Sequence, residues 1–156
     1  MYTEVFLGDA PAAAKPWIDS HVAARKTVFT LTDGTQVSAD IVGELDKDTV
    51  AQYVPDTSLL KEVIVGSTVS ALDNSDGQSS TGTFFMCSNL KKVILQRDTA
   101  KIDSSTFEAC TSLEEVVLPN SISSIGNDAF KHCTSLKKLD IPLNVKLVGD
   151  GTFHDC

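Results

Sequence analysis

The amino-acid sequence predicts a mainly β solenoid, in which short units stack on one another instead of folding around one centre. Two observations predict this architecture. Cysteines recur at intervals of 23 residues from Cys87 to Cys156, and a phenylalanine stands three residues before each of them. Such regular spacing, without insertion or deletion, is typical of a repeat protein whose units bury their apolar side chains against their neighbours.

The units align over four copies, at residues 57–86, 87–109, 110–132 and 133–155. Each unit has three aliphatic positions in an L-x-x-V-x-L arrangement after the cysteine and a further aliphatic position about seven residues later. The first copy is degenerate because Thr57 replaces the cysteine. It is also lengthened by a segment at about 73–82 that is rich in Ser, Gly and Asp. We expect this insertion to be a solvated loop.

The pattern before the repeats predicts an N-terminal segment and cap over residues 1–56. Asp33 and Gly34 separate two β-branched runs, which predicts a β-hairpin over about 27–41, because this turn needs the positive φ that both residues tolerate. A short helix is expected at about 47–53. A cap of this kind would cover the strand edges and apolar side chains that the first coil otherwise presents to water.

Two elements are expected before the hairpin. Val5–Leu7 is a short strand candidate, and a helix is predicted from Pro16 to about Arg25, with proline in its first turn. We interpret Trp17 as an anchor that holds this segment on the first coil. The alternative is that the segment docks the protein into a larger assembly.

The repeat motif resembles a known family. L-x-x-V-x-L-P followed by I-x-x-I-G-x-x-A-F-x-x-C, which runs from Leu113 to Cys133, is similar to the BspA-like bacterial leucine-rich repeats with 23-residue units. The resemblance covers about residues 57–156 and departs at Thr57 and at Asp103, where later units have glycine. It implies a leucine-rich repeat solenoid of stacked parallel strands with short helical turns, usually at a cell surface or in attachment proteins. The segment TLTDGTQV…GEL before such repeats also resembles proteins of gut bacteria and their phages.

Three columns of side chains are predicted to face outward from the stacked strands, because L-x-x-V-x-L directs its aliphatic positions inward. Coils lie about 4.8 Å apart, so residues at one offset are neighbours. Lys and Glu alternate in two columns, which stacking alone explains at about 0–1 kcal/mol per exposed pair. The third column is mostly aliphatic, and either a contact surface or strand propensity explains it. The candidate binding face is Ile64, Lys91, Lys92, Ile94, Glu114, Glu115, Val117, Lys137, Lys138 and Asp140.

Two further columns are interpreted as structural ladders. The phenylalanine rings are expected to be buried between coils. The cysteines are expected to be buried reduced thiols, because stacked side chains keep the coil spacing of about 4.8 Å, whereas a disulfide needs Cβ atoms about 3.5–4.5 Å apart. Disulfides and a zinc site are the alternatives. The ladders are Phe84, Phe107, Phe130 and Phe153, and Cys87, Cys110, Cys133 and Cys156.

The sequence carries no catalytic motif such as G-x-S-x-G, H-E-x-x-H or a P-loop, so it predicts a protein that is not an enzyme and that needs no cofactor and no metal. The net charge of −8 gives no basic surface for nucleic acid or for an anionic membrane. We also expect no membrane insertion, because no apolar run approaches the length of a transmembrane helix.

These observations together predict a non-catalytic recognition or adhesion module that binds a protein or glycan on a host or cell surface. The alternative is a structural or attachment component of a phage particle or a cell-surface assembly. We expect an extracellular or cell-surface location, or a virion-associated one, for a chain that is either leaderless or trimmed of its signal peptide. Because Cys156 occupies the first position of a further unit, we expect either a longer native protein or self-association through the open C-terminal coil.

Overall fold

The computed structural model describes residues 25–73 and 81–156. The strand predicted at Val5–Leu7, the helix predicted from Pro16 up to Arg25 and most of the insertion predicted at 73–82 lie outside these residues. The described residues form two five-stranded sheets, and in the first three repeats the strands alternate between them along the chain.

The elements before the repeats begin with a hairpin. Asp33 stabilises its turn, because the carboxylate Oδ1 accepts a hydrogen bond from the backbone N–H of Thr35 at 2.8 Å, and Gly34 adopts φ 89°. The helix that follows is capped by Asp46, whose Oδ1 accepts from the N–H of Thr49 at 2.7 Å. These elements are β1 (Thr27–Leu31), β2 (Gln36–Ala39), β3 (Gly43–Leu45) and α1 (Lys47–Tyr53), and a 3-10 helix (Thr57–Leu59) then opens the first repeat.

The repeats contribute seven strands to the described structure. The first strand of a coil belongs to what we call the face sheet, with strand order β2-β1-β4-β6-β8, and the second belongs to the back sheet, with order β10-β9-β7-β5-β3. The strands are β4 (Leu60–Val65), β5 (Val69–Leu72), β6 (Lys92–Leu95), β7 (Lys101–Ile102), β8 (Glu115–Val117), β9 (Ser124–Ile125) and β10 (Leu147–Val148).

The hairpin and the repeats share one sheet. β1 pairs antiparallel with both β2 and β4, whereas β4, β6 and β8 pair parallel in steps of one coil. The predicted fold class is therefore confirmed: the chain is a mainly β solenoid of about four turns with few helices, and a hairpin and short helices precede the stack.

The back sheet was not predicted as a sheet. It forms because the aliphatic residue after each polar bend is buried, as at Leu72, Ile102 and Ile125, and because the short strands around these positions pair in parallel. β3 joins the same sheet beside β5, so the segment before the repeats contributes a strand to both sheets. The core lies between the two sheets.

The phenylalanine ladder lies in this core at the turn after the back sheet. Successive rings stack with centroid distances of 5.6, 5.2 and 5.8 Å. Phe84, Phe107 and Phe130 are fully buried, and burying a side chain of this size contributes about 1.5–3 kcal/mol. The expectation of a buried ring is wrong for Phe153, which is 41% exposed because no described coil follows it.

The cysteines are all free thiols, and three of the four are buried. Each of the last three donates its S–H to the carbonyl of the phenylalanine 26 residues earlier, in the equivalent turn one repeat before: Cys110 to Phe84 at 3.1 Å, Cys133 to Phe107 at 3.1 Å and Cys156 to Phe130 at 3.0 Å. This hydrogen bond between coils was not predicted. The expectation of burial is wrong for Cys156, which is exposed for the same reason as the ring beside it.

The fourth coil departs from the prediction in its aliphatic positions as well. Ile141 and Val148 were expected inside, yet they are 40% and 43% exposed. Ile102 and Ile125, the counterparts of Val148 in the two preceding coils, are fully buried. The same sequence pattern thus gives a closed core only where a further coil covers it.

Candidate recognition face

The outward columns of the face sheet are built by its register. In parallel pairing, Glu62, Lys92 and Glu115 are successive partners across β4, β6 and β8. Two residues further along the strands, Ile64, Ile94 and Val117 are partners in the same way. The structure therefore brings these predicted site residues together on one surface. A further predicted column borders it, since the N–H of Lys91 bonds to the carbonyl of Lys61 at 2.7 Å and that of Glu114 to the carbonyl of Lys91 at 2.9 Å.

The charged column is paired within the chain. Lys92 Nζ lies 3.2 Å from Glu115 Oε2, and the two side chains keep 38% and 54% of their exposure. Such a pair contributes little to stability in water, about 0–1 kcal/mol, because solvent screens it. Its effect is to hold a row of alternating charges beside the aliphatic column.

The aliphatic column continues into the hairpin, which sequence reasoning missed. Antiparallel pairing places Val28 of β1 opposite Ile64 of β4. The row therefore runs Val28, Ile64, Ile94, Val117 across four adjacent strands. Val117 is 42% exposed and the other three are half-buried. We call the outward surface that these four residues form with Glu62, Lys92 and Glu115 the recognition face.

The remaining predicted site residues lie beside this face and outside the sheet. Lys137, Lys138 and Asp140 belong to the fourth coil, which forms no strand over residues 137–141. Within the described chain, no backbone hydrogen bond joins that segment to β8. A depression of about 320 Å³ opens instead between β8 and the side chains of Lys138 and Asp140, which pair with each other at 3.3 Å.

The buried cysteine thiols are unreactive at neutral pH. Burial raises the pKa of Cys87 and of Cys133 to about 12, and it raises the pKa of Cys110 well above its usual range. Since the thiolate is the nucleophile and the metal-binding form, these side chains act as apolar fillers at neutral pH. In the described ranges, 25–73 and 81–156, His, Cys, Asp and Glu side chains form no group of three that could hold a metal ion.

A family model described as "BspA type Leucine rich repeat region (6 copies)" matches residues 56–156. The chain belongs to this family. Membership agrees with the repeat architecture and confirms the resemblance carried by Leu113 to Cys133. Leucine-rich repeat proteins are generally non-catalytic scaffolds, and the family supports a repeat-based binding or surface module in general.

Two solved structures of bacterial leucine-rich repeat proteins share the fold at low identity, and a third matches with a lower TM-score. A Treponema pallidum leucine-rich repeat protein is 20% identical over 83% of this chain and 64% of its own, with a TM-score of 0.54. One from Eubacterium ventriosum is 21% identical over 74% of this chain and 31% of its own, with a TM-score of 0.53. A leucine-rich cell surface protein of Faecalibacterium prausnitzii is 17% identical over 85% and 51%, with a TM-score of 0.35.

The chain spans about a third of the Eubacterium ventriosum protein and 64% of the Treponema pallidum protein. No curated protein matches it in sequence at a significant level. Among the helices of the described residues, none has the length and apolar character needed to span a bilayer.

Proposed function

We propose that this chain recognises a protein or a glycan at a cell or host surface through the recognition face, and that it catalyses no reaction. The observation that carries the proposal is the row Val28, Ile64, Ile94 and Val117, which crosses four strands without a polar interruption. A contiguous aliphatic row bordered by charged side chains is the usual form of a contact surface on a soluble protein.

Strand propensity alone does not account for this row. Threonine is as branched as valine and equally suited to strands, and it is polar. β1 itself uses Thr30 in the neighbouring outward column, opposite Glu62. The choice of aliphatic residues in one column and of polar residues in the next therefore supports a contact that buries the first column and leaves the second at its rim.

The charges at the rim support a role in specificity more than in affinity. Lys92 and Glu115 are already paired, so a partner gains little from neutralising them. A wrong partner that places an unpaired charge against either side chain loses affinity, however. The module would thus bind through apolar burial and discriminate through its alternating charges.

The test is binding of the purified chain to an array of extracellular-matrix proteins and cell-surface glycans, beside an Ile94→Asp variant. Leu143→Asp is the matched control, because it introduces the same carboxylate at a fully exposed leucine outside the face. We expect Ile94→Asp to weaken binding at least about tenfold, since it buries an unpaired charge at the contact. The control should bind as the unaltered chain does.

Thermal melts of the three proteins accompany the array. If Ile94→Asp stays folded and binds as well as Leu143→Asp, recognition does not use this face. If all three stay folded and none binds any component, the proposal fails. The structural role in a phage particle or surface assembly would then be tested by looking for the chain in purified particles.

A further inference from the structure

β6 and β8 carry one outward pattern with opposite charges. Each strand begins with a charged residue that follows another charged residue, and an aliphatic residue lies two positions after the first residue of the strand. The charges are basic at β6 and acidic at β8, and the strands are adjacent and in register. The six residues are Lys91, Lys92 and Ile94 at β6, and Glu114, Glu115 and Val117 at β8.

A pattern of this kind is complementary to itself. Consider a second copy of the chain, turned by half a revolution about an axis that runs parallel to the strands, between β6 and β8, in the plane where two faces meet. The rotation keeps each column opposite the same column and reverses the order of the strands. Lys92 then faces Glu115 of the second copy, and Ile94 faces its Val117. Isologous contacts of two-fold symmetric dimers have this reciprocity.

We infer that the β6 and β8 part of the recognition face pairs with the same part of a second copy of this chain. The inference rests on the proposed function, since it names a partner for the same surface. Each strand of the central pair meets its opposite: Lys91 and Lys92 lie against acidic side chains, and the two acidic side chains of β8 lie against lysines. Ion pairs lie along one side of an aliphatic patch made by Ile94 and Val117 of both copies.

The flanking coils extend the match on one column and limit it on the other two. Glu62, one strand beyond β6, would face Lys138, one coil beyond β8, and the charges are again opposite. In the outer column Lys61 would face Lys137, which repels, and in the aliphatic column Ile64 would face Asp140, which sets a carboxylate against an apolar side chain. Six facing pairs of opposite charge thus stand against two of like charge, counting both copies of each pair.

The geometry permits this contact. Packed sheets lie about 10 Å apart with strands nearly aligned, a distance that paired Lys and Glu side chains span. Lys92 and Glu115 are open to solvent at 38% and 54%, so both can take part in a second ion pair while they keep the first. The pair within each chain then becomes a network of four alternating charges across the contact.

The area of the contact limits how strongly two copies can associate. With the axis between β6 and β8, the overlap is limited to β4, β6, β8 and the fourth coil of each copy. Four positions about 4.8 Å apart and about four residues long give a surface of about 250 Å², well below the roughly 800 Å² per partner of a stable complex. A single pair of faces therefore associates weakly. Many copies held on one surface would associate strongly with many copies on another, because each contact raises the effective concentration of the next.

The experiment is sedimentation velocity on the unaltered chain up to about 1 mM, the range in which so small an interface associates. Lys92→Glu and Glu115→Lys are each measured alone and as an equal mixture. Each single variant places like charges opposite each other at the contact, so its dimer should dissociate at least about tenfold more readily. In a mixed dimer, the carboxylate introduced by Lys92→Glu in one copy faces the ammonium introduced by Glu115→Lys in the other. The mixture should therefore restore association.

The double variant Lys92→Glu with Glu115→Lys restores opposite charges both within the chain and across the contact, and it should dimerise as the unaltered chain does. Lys146→Glu on the opposite side of the coil is the control for added negative charge, and it should leave association unchanged. Thermal melts show that each variant is folded.

Two results would overturn the inference. One is an unaltered chain that stays monomeric throughout the concentration series. The other is a mixture that associates no better than its two components. Neither result decides the proposed function, which has its own test. If Ile94→Asp loses array binding and Leu143→Asp keeps it, this face recognises another partner even though the chain does not pair with itself.

Discussion

The third and fourth coils have nearly the same pattern of residues and very different cores. Cys110 opens the third coil fully buried, and Phe130 closes it fully buried. At the same positions of the fourth coil, Cys133 is buried but Phe153 is 41% exposed. The difference teaches that a repeat residue is not buried by its own unit. It is buried by the unit that follows.

The two coils also differ in how they join the sheets. The fourth coil is joined to the third through the turn and the back sheet, where Leu147 and Val148 pair with β9. It contributes no strand to the face sheet, which ends at β8. The recognition face is thus built by the hairpin and the first three coils, and the fourth coil supplies one wall of the depression beside it.

The largest expected effect is on stability at the phenylalanine ladder, and it tests whether the following coil is what buries a repeat residue. Phe107→Ala should lower the free energy of unfolding by about 3–5 kcal/mol, because the ring is fully buried between two stacked neighbours and its loss leaves a cavity. Phe153→Ala should cost about 1–2 kcal/mol, since solvent already reaches that ring and it has one stacked neighbour. Urea denaturation measures both. Equal losses would show that burial does not depend on the following coil.

The second expected effect is a loss of folding stability at high pH. Burial raises the pKa of Cys133 to about 12 from a usual value of 9.0, so the folded chain keeps a proton that the unfolded chain releases. The stabilisation is complete below pH 9 and is lost as the pH rises from about 9 toward 12. At pH 10.5 the loss should be about 2 kcal/mol for this thiol.

Cysteine variants isolate this contribution from lysine and tyrosine titration. Cys133→Ala should flatten the decline of stability above pH 9, as measured by urea denaturation at pH 8, 9.5 and 10.5. Cys156→Ala should flatten it less, because Cys156 is exposed. A decline that is unchanged by Cys133→Ala would mean that this thiol titrates normally in the folded chain.

The smallest expected effect comes from backbone strain at Ala109. Unlike side-chain burial, this strain does not depend on the coil that follows. Ala109, the residue before Cys110, adopts φ 61°, a left-handed conformation that costs a residue with a Cβ roughly 1–2 kcal/mol. Glycine removes this strain and adds entropy to the unfolded chain, so Ala109→Gly should stabilise the fold by up to about 1 kcal/mol. The control Ala100→Gly, which lies outside the positive-φ residues, should destabilise it by about 0.5–1 kcal/mol. If thermal melts show that both substitutions stabilise the fold, or that both destabilise it, Ala109 is not strained.

Periodicity predicted the solenoid because each coil repeats the same inward positions, and it predicted the outward columns because parallel pairing in steps of one unit keeps equal offsets together. The back sheet escaped prediction because strands of two residues leave almost no alternation to detect. The left-handed turns escaped because Met86, Ala109 and His132 are not glycines, and nothing local in their sequence indicates positive φ.

The candidate site was predicted in its repeat part and missed in its hairpin part. Ile64, Ile94 and Val117 share an offset, so the sequence places them together. Val28 joins them through antiparallel pairing of β1 with β4, and this register is interrupted by an irregularity between Thr30 and Leu31. Pairing between segments so far apart in sequence depends on the whole sheet, and the hairpin motif alone does not specify it.

The most direct test of the account is whether the hairpin belongs to the binding surface. Val28→Asp would be measured against the array component that the unaltered chain binds best, beside Ile94→Asp and Leu143→Asp. A continuous face predicts that Val28→Asp and Ile94→Asp both weaken binding about tenfold or more while both remain folded, and that Leu143→Asp does not. Full binding by a folded Val28→Asp would contradict it, and would restrict recognition to the repeats.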